Sequence, residues 1–201
     1  MAWDVFSFIG AAAFAISGAI VAMEEDYDFL GVYILGMITA FGGGAMRNVL
    51  IGVPVDVLWS QHFLFFVATF LIVLIFFFSK YVLSPWNRWG SYFDAIGLGA
   101  FAIQGAMLAI DLDMSLFAVI VAAVLTGSGG GVLRDILAGR KPLVFKDEIY
   151  ASWAALAGFL VGLGLFKSDL ALYCLLIVTA GLRILSVVFQ IKLPKGKLQK
   201  E

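Results

Sequence analysis

Long stretches without a charged residue divide the chain. Val5–Met23 runs for 19 residues, Phe29–Met46 for 18, Val57–Ser79 for 23, Met114–Leu133 for 20 and Ile149–Phe166 for 18. At a rise of about 1.5 Å per residue, each is long enough as a helix to cross roughly 30 Å of hydrocarbon. Two further apolar stretches are interrupted, one by Asp94 near its start and one by Arg183 in its interior. The pattern predicts helices near 5–23, 29–50, 57–79, 91–110, 114–138, 148–166 and 169–190. Seven is the best count, because shorter hairpins would leave backbone polar groups in lipid without partners. The connections are short: Glu24-Glu25-Asp26-Tyr27-Asp28, Gly52-Val53-Pro54, then 80–90 around Pro85, 111–113, 139–147 around Pro142 and 167–169.

Composition narrows the class. Of the 201 residues, 63% are hydrophobic and 13% charged, whereas a soluble domain is about 45–50% apolar and about 25% charged. The expected fold is an all-α integral membrane protein with a single membrane domain over 1–201. The first apolar run lacks a basic leader and a polar cleavage region, so it reads as a retained span and not a signal peptide. Net charge, −1, carries no information; the placement of the basic residues does. With seven spans the termini face opposite sides. The side of the C-terminus then holds Lys80, Arg88, Arg140, Lys141, Lys146, Lys192, Lys195, Lys197 and Lys200, against Lys167 alone on the other. Basic residues collect in cytoplasmic loops, which predicts an external or periplasmic N-terminus and a cytoplasmic C-terminus in the cell's inner (plasma) membrane. The terminal lysines then serve as topology signal and lipid contact. Trp59, Trp86, Trp89, Tyr92, Tyr150 and Trp153 fall near the span ends, as interfacial anchors do.

Several chemistries drop out. Cys174 is the single cysteine and His62 the single histidine, so no disulfide, thiolate cluster or histidine-rich metal site is expected. No nucleophile elbow, phosphate loop with lysine or paired histidine set is present, and no enzyme, catalytic residue or cofactor is expected. No basic face for nucleic acid is present either.

An internal repeat emerges on sliding the chain by 87 residues. Gly10–Met23 aligns on Gly97–Ile110 with eight identities in fourteen, and Thr39–Gly52 on Thr126–Gly139 with seven in fourteen. Kinship among apolar helices does not explain Gly42-Gly43-Gly44 and Gly129-Gly130-Gly131, each followed at the same distance by an arginine, Arg47 or Arg134. Three spans precede the second copy, so equivalent helices cross in opposite directions. The expected architecture is two inverted three-helix repeats, 3–83 and 90–166, plus a seventh helix over 169–190.

The candidate path residues cluster on that repeat. The glycine runs serve either tight helix packing or a bend that lines a hydrated path, and their symmetric repetition beside a charge favours the path. Arg47-Asn48 and Arg134-Asp135 follow them; an arginine in apolar surroundings stays charged and needs an anion, carbonyls or water, unless it snorkels to the interface. Asp135 supplies a carboxylate and Asn48 does not. Asp94 either caps its helix or sits at the interface, or it faces the bundle as a cation ligand or a partner for Arg134. Thr39, Thr126 and Ser128 add hydroxyls near the glycines, while Ser17 and Gln104 occupy equivalent positions. An oxygen-rich lining of this kind suits an alkali cation. Arg183, four residues after Thr179, reads as a structural anchor meeting a lipid headgroup or an acid.

On Phe41-Gly-Gly-Gly-Ala-Met-Arg47-Asn48 and Gly127-Ser-Gly-Gly-Gly-Val-Leu-Arg134-Asp135, the chain resembles bacterial members of the trimeric intracellular cation channel family, also catalogued under a duplicated "glycine transporter" domain name. The likeness covers about residues 3–190. It implies a homotrimer whose protomers each hold a pore for monovalent cations such as potassium, lined by second and fifth helices bent at the glycine runs. It also implies an external N-terminus, with Arg47, Arg134 and Asp135 as pore-proximal polar groups. The Lys-Glu-Val signature of the animal proteins is replaced by Arg47-Asn48-Val49, against phosphoinositide dependence. The alternative reading is a transporter of glycine or another small solute.

Overall fold

A computed structural model of the chain describes residues 2–82, 89–145 and 149–191. Among the described residues seven α-helices follow one another: α1 (Ala2–Glu24), α2 (Phe29–Ile51), α3 (His62–Val82), α4 (Trp89–Asp111), α5 (Leu116–Leu137), α6 (Ala151–Gly162) and α7 (Asp169–Val188). Side chains at the turns hold the first-turn amides that no intrahelical carbonyl reaches. Asp28 accepts from Gly31 N at 2.8 Å, Ser115 from Ala118 N at 3.4 Å and Ser168 from Ala171 N at 3.2 Å. α2 and α5 stop in the same way. Gly52 and Gly139 turn left-handed at φ 74° and 70°, and the next amide returns to the helix, Val53 N to Asn48 O at 2.9 Å and Arg140 N to Asp135 O at 2.8 Å.

α1, α2, α4, α5 and α7 are long and apolar enough to cross a membrane. Two expected spans differ from the pattern. The third, expected from Val57, begins with a 3₁₀ turn over Val55–Ser60 and becomes α-helical only at His62. The sixth, expected over 148–166, is an α-helix only over Ala151–Gly162, because the chain turns at Gly164 with φ 70°. Its 12 residues rise about 18 Å, short of the roughly 30 Å core. Residues 146–148 and the part of the 80–90 connection over 83–88, with Trp86, lie outside the described residues, as do the lysines of 192–200.

α1 and α4 form the centre. Phe14 of α1 and Phe101 of α4 meet edge-on with ring centroids 5.3 Å apart. Each ring fills space that a glycine on the opposite helix leaves open: a Cβ at Gly10 would stand 2.5 Å from Phe101, and one at Gly97 would overlap Phe14. α2 and α5 flank this pair and cross each other at Gly43 and Gly130. A Cβ on Gly43 would stand 2.7 Å from Thr126 O, and one on Gly130 would collide with Thr39 O. This is backbone against backbone, the contact that small residues permit between helices in lipid. α3 packs on α1 and α2, α6 on α5 and α4, and α7 on α4 and α6. Outward, α3 exposes Phe63, Phe66, Phe70 and Phe77, and α7 exposes Ile177 and Val178. An apolar surface this extensive fits lipid or a partner, not water.

Tyr27, just before α2, donates its hydroxyl to Leu137 O at the end of α5 (2.7 Å). The start of α2 therefore lies beside the end of α5. Arg47 and Arg134, each close to its helix's C-terminal end, stand at opposite ends of the bundle.

Candidate functional site

At the α5 end the sequence's isolated polar residues converge. Arg134, 2% exposed, donates from Nη1 to Asp94 Oδ1 at 2.6 Å and to Ser17 Oγ at 2.7 Å. Its Nε donates to Asp135 Oδ1 at 2.9 Å, and Nη2 lies 2.8 Å from the same oxygen. Asp135 Oδ2 accepts from Leu143 N at 2.9 Å, which holds the chain beyond α5 against the cluster. Asp94 Oδ2 is buried without a hydrogen-bond partner among the described residues. Gly131 makes room for the group: a Cβ there would stand 2.7 Å from Tyr150 Oη and 3.3 Å from Asp94 Oδ1. Of the readings for Asp94, helix cap, interface or bundle-facing partner of Arg134, the structure has the last. Arg134 does not snorkel.

The cluster floors a cavity of about 220 Å³ whose wall includes Glu24, Ser91, Arg140 and Lys141. Two carboxyl groups face one guanidinium on that floor. At the mouth Arg140 Nε donates to Glu25 at 2.5 Å and Nη1 to Glu24 at 2.9 Å. Partial burial works against the Arg140 charge, but the hydrogen bonds and attraction of Glu25 and Glu24 outweigh it and raise its pKa.

The opposite end is built from the positions 87 residues away, with different chemistry. Ser7, Gln104, Arg47 and Asn48 stand where Asp94, Ser17, Arg134 and Asp135 stand in the first cluster. Arg47 is 5% exposed and gives Nε and Nη2 to Asn48 Oδ1 at 3.0 and 2.7 Å. Gln104 Nε2 donates to Ser7 Oγ, which donates to Trp3 O at 2.9 Å. A small pocket adjoins them, and a wider cavity of about 440 Å³ opens beside it around Trp3, Asp4, Ser60, Gln61 and His62.

Between the two ends lie the other singled-out residues. Thr39 and Thr126 donate to Leu35 O and Ala122 O, both at 2.6 Å, and Ser128 to Val124 O at 2.6 Å. These hydroxyls satisfy their own helices, and Thr39 and Thr126 pack against Gly18 and Gly105. Gly42, Gly44 and Gly129 sit in the same crossing region: a Cβ on Gly42 would stand 2.5 Å from Leu133, one on Gly129 3.1 Å from Gly43 Cα, and one on Gly44 no nearer than 3.6 Å to anything. α2 and α5 keep helical hydrogen bonding through both runs, so close approach is the role their packing displays.

Three residues differ from expectation. Tyr150, grouped with the interfacial aromatics, is 2% exposed, and the Arg183 guanidinium lies over its ring at 4.7 Å from the centroid. That arginine is fully buried, so it does not reach a lipid headgroup at the surface, and it meets an aromatic face. Trp153 is tied inward as well, Nε1 donating to Ser186 Oγ at 3.0 Å. Trp59 is exposed, as an anchor would be. Ser7 went unnoticed in the sequence, although it stands three positions before the aligned block that starts at Gly10, opposite Asp94.

A family model described as "Glycine transporter" matches residues 4–80 and again 91–166. The UPF0126 membrane protein YvgT of Bacillus subtilis (strain 168) is 61% identical over 194 residues, 96% of each chain. Among solved structures, a chain described under the structural basis for conductance through TRIC cation channels is 36% identical, covers 98% of each chain and superposes at a TM-score of 0.83. The TRIC trimeric intracellular cation channel orthologue from Rhodobacter sphaeroides is 30% identical over 94% of this chain and 98% of its own, also at 0.83. The chain belongs to the TRIC family. It is a multi-pass integral membrane protein. The two ranges matched by the family model take in α1–α3 and α4–α6 of this TRIC chain, leaving α7 outside both.

Proposed function

We propose that the chain is a cation channel, conducting monovalent cations, potassium foremost, along a path in each protomer lined by α2 and α5. The observation that carries this reading is the buried cluster of Arg134 with Asp94 and Asp135, two carboxyl groups against one guanidinium, on the floor of a cavity of about 220 Å³. Carboxylates inside a membrane bundle attract cations, and the second carboxylate leaves the arginine outnumbered. The path runs from this cavity past the Gly43–Gly130 crossing to the cavity at the Arg47 end. Bending of α2 and α5 at Gly42–Gly44 and Gly129–Gly131 opens it, with Thr39, Thr126 and Ser128 turning their hydroxyls toward the passing ion. The TRIC relatives support the reading, since they are described as cation channels, and the Rhodobacter sphaeroides orthologue as trimeric.

In this reading the chain is no enzyme, and the assembly is a homotrimer in the inner membrane. Seven helices span, arranged as inverted repeats 3–83 and 90–166 with 169–190 added. The reciprocal contacts of Gly10 with Phe101 and Gly97 with Phe14 support that arrangement. The N-terminus lies outside, which puts the Asp94 cluster at the cytoplasmic end.

The purified protein in planar bilayers should give unitary currents whose reversal potential follows the potassium gradient. Saturable accumulation of labelled glycine in proteoliposomes, without discrete currents, would overturn the channel in favour of a small-solute carrier. Native mass measurement should give three protomers.

A further inference from the structure

Arg47 is buried and, among the described residues, has no carboxylate partner. Its counterpart 87 residues on, Arg134, meets carboxylates at 2.6 and 2.8 Å. At the matching positions around Arg47 stand Ser7 and Asn48, both neutral. Asn48 Oδ1 receives two of the guanidinium's N–H groups, while Nη1 is buried with no hydrogen-bond partner. Among the described residues no carboxylate lies within 4.0 Å of Arg47. The guanidinium does not lose its proton in a protein, so titration cannot relieve the deficit. Water can satisfy an N–H but not the charge.

Beside Arg47 the structure holds a pocket of about 20 Å³, lined in part by Ser7, Gly44, Leu58, Gln61 and Gln104. One water-sized particle needs about 10–15 Å³, so the space has room for a single small ion. Gln61 and Gln104 line the same space, and each carries an amide NH₂ with two donor hydrogens, one of which Gln104 gives to Ser7 Oγ. Gly44 keeps it open: it is the one glycine of its run whose Cβ would meet nothing within 3.5 Å.

We propose that this pocket binds a small monovalent anion, chloride by size and charge, between Arg47 and the amides of Gln61 and Gln104. The bound anion supplies the negative charge that Asp94 and Asp135 supply at the other end. It thereby removes the positive barrier that Arg47 sets for a cation passing that end. This last consequence rests on the cation-channel reading; the binding does not.

Binding is read without flux. The full-length protein in detergent should broaden the ³⁵Cl resonance of potassium chloride saturably, and its unfolding temperature should rise with chloride but not with gluconate at equal ionic strength. Arg47→Gln should abolish both effects. Asn48→Asp, which places a carboxylate beside the guanidinium, should abolish them while keeping the charge paired, and it serves where Arg47→Gln fails to fold. Equal stabilisation by the two anions, or chloride broadening unchanged in Asn48→Asp, overturns the site and leaves water as the occupant.

In bilayers at fixed potassium, wild-type conductance should be on the order of threefold or more higher in chloride than in gluconate, since an unscreened charge in a low-dielectric path acts strongly on a passing ion. Asn48→Asp should conduct equally in both. Chloride binding together with anion-independent conductance overturns the barrier role. Binding with no cation current in either salt overturns the channel reading and supports the anion site alone.

Discussion

Arg134 Nη1 lies 2.6 Å from Asp94 Oδ1, tying α5 to α4 through an ion pair with neither side chain more than 2% exposed. Asp135 and Ser17 are further partners of the arginine.

Removing the arginine leaves two carboxylates buried and facing each other, and breaking a buried pair from one side costs about 3–5 kcal/mol. Arg134→Met is expected to lower stability by that order in detergent unfolding. Arg134→Met with Asp94→Asn should recover part of the loss. In variants that remain folded and assembled as the wild type is, Arg134→Met and Asp135→Asn should each alter single-channel conductance or its voltage dependence. Wild-type conductance in both would remove the cluster from the path.

The glycine runs are unequal in the space around them. Gly130→Ala drives a methyl into Thr39 O, a backbone atom that cannot swing aside, and Gly43→Ala meets Thr126 O at 2.7 Å. Overpacking of this kind costs about 1–3 kcal/mol or more. Gly44→Ala meets nothing nearer than 3.6 Å and should leave the unfolding temperature close to wild type. Equal effects at the three positions would argue against the crossing as the site of closest approach.

Arg140 pairs with Glu24 and Glu25 at the mouth of the cavity above the Asp94–Arg134 cluster, with 30% of its side chain exposed. Exposed pairs contribute about 0–1 kcal/mol, so Arg140→Gln should shift stability little. It removes a positive charge at the mouth, and conductance at low ionic strength should rise, with the difference fading above about 0.5 M salt as screening shortens. A large loss of stability would show that the loop clasp carries the fold.

Topology is checked by single cysteines in a Cys174→Ser background. Lys167→Cys, between α6 and α7, should label from outside intact cells, and Lys141→Cys, beyond α5, only after permeabilisation. Both positions are exposed. Labelling of both from one face would defeat the assignment in which α6 spans despite its 12 residues.

Much of the fold was legible because lipid imposes one rule on every span. Uncharged runs of 18 residues or more announced five helices, of which the one on the 57–79 run starts later, at His62, and the one on the 149–166 run ends earlier, at Gly162. Those two ends depend on turns, the 3₁₀ segment at Val55–Ser60 and left-handed Gly164, that hydrophobicity does not encode. The repeat was legible too, since a glycine run and an arginine at one offset survive where apolar residues interchange.

Partnership was legible only as alternatives. That Arg134 needed an anion followed from its sequence surroundings, which offered Asp135 next to it and Asp94 if it faced the bundle; that Asp94 does face the bundle and meets the guanidinium was decided by packing. Tyr150 read as an interfacial aromatic because it lies at a span end, yet packing of α6 and α7 against α4 places it under Arg183. The sequence by itself determined which residues had to be helical and which charges had to find company, because backbone groups and ions are costly in hydrocarbon everywhere. Only the tertiary structure decided which charge met which partner, because that depends on helix crossings set by the close approach of Gly43, Gly130 and Thr39, contacts of small atoms whose partners lie far away along the chain.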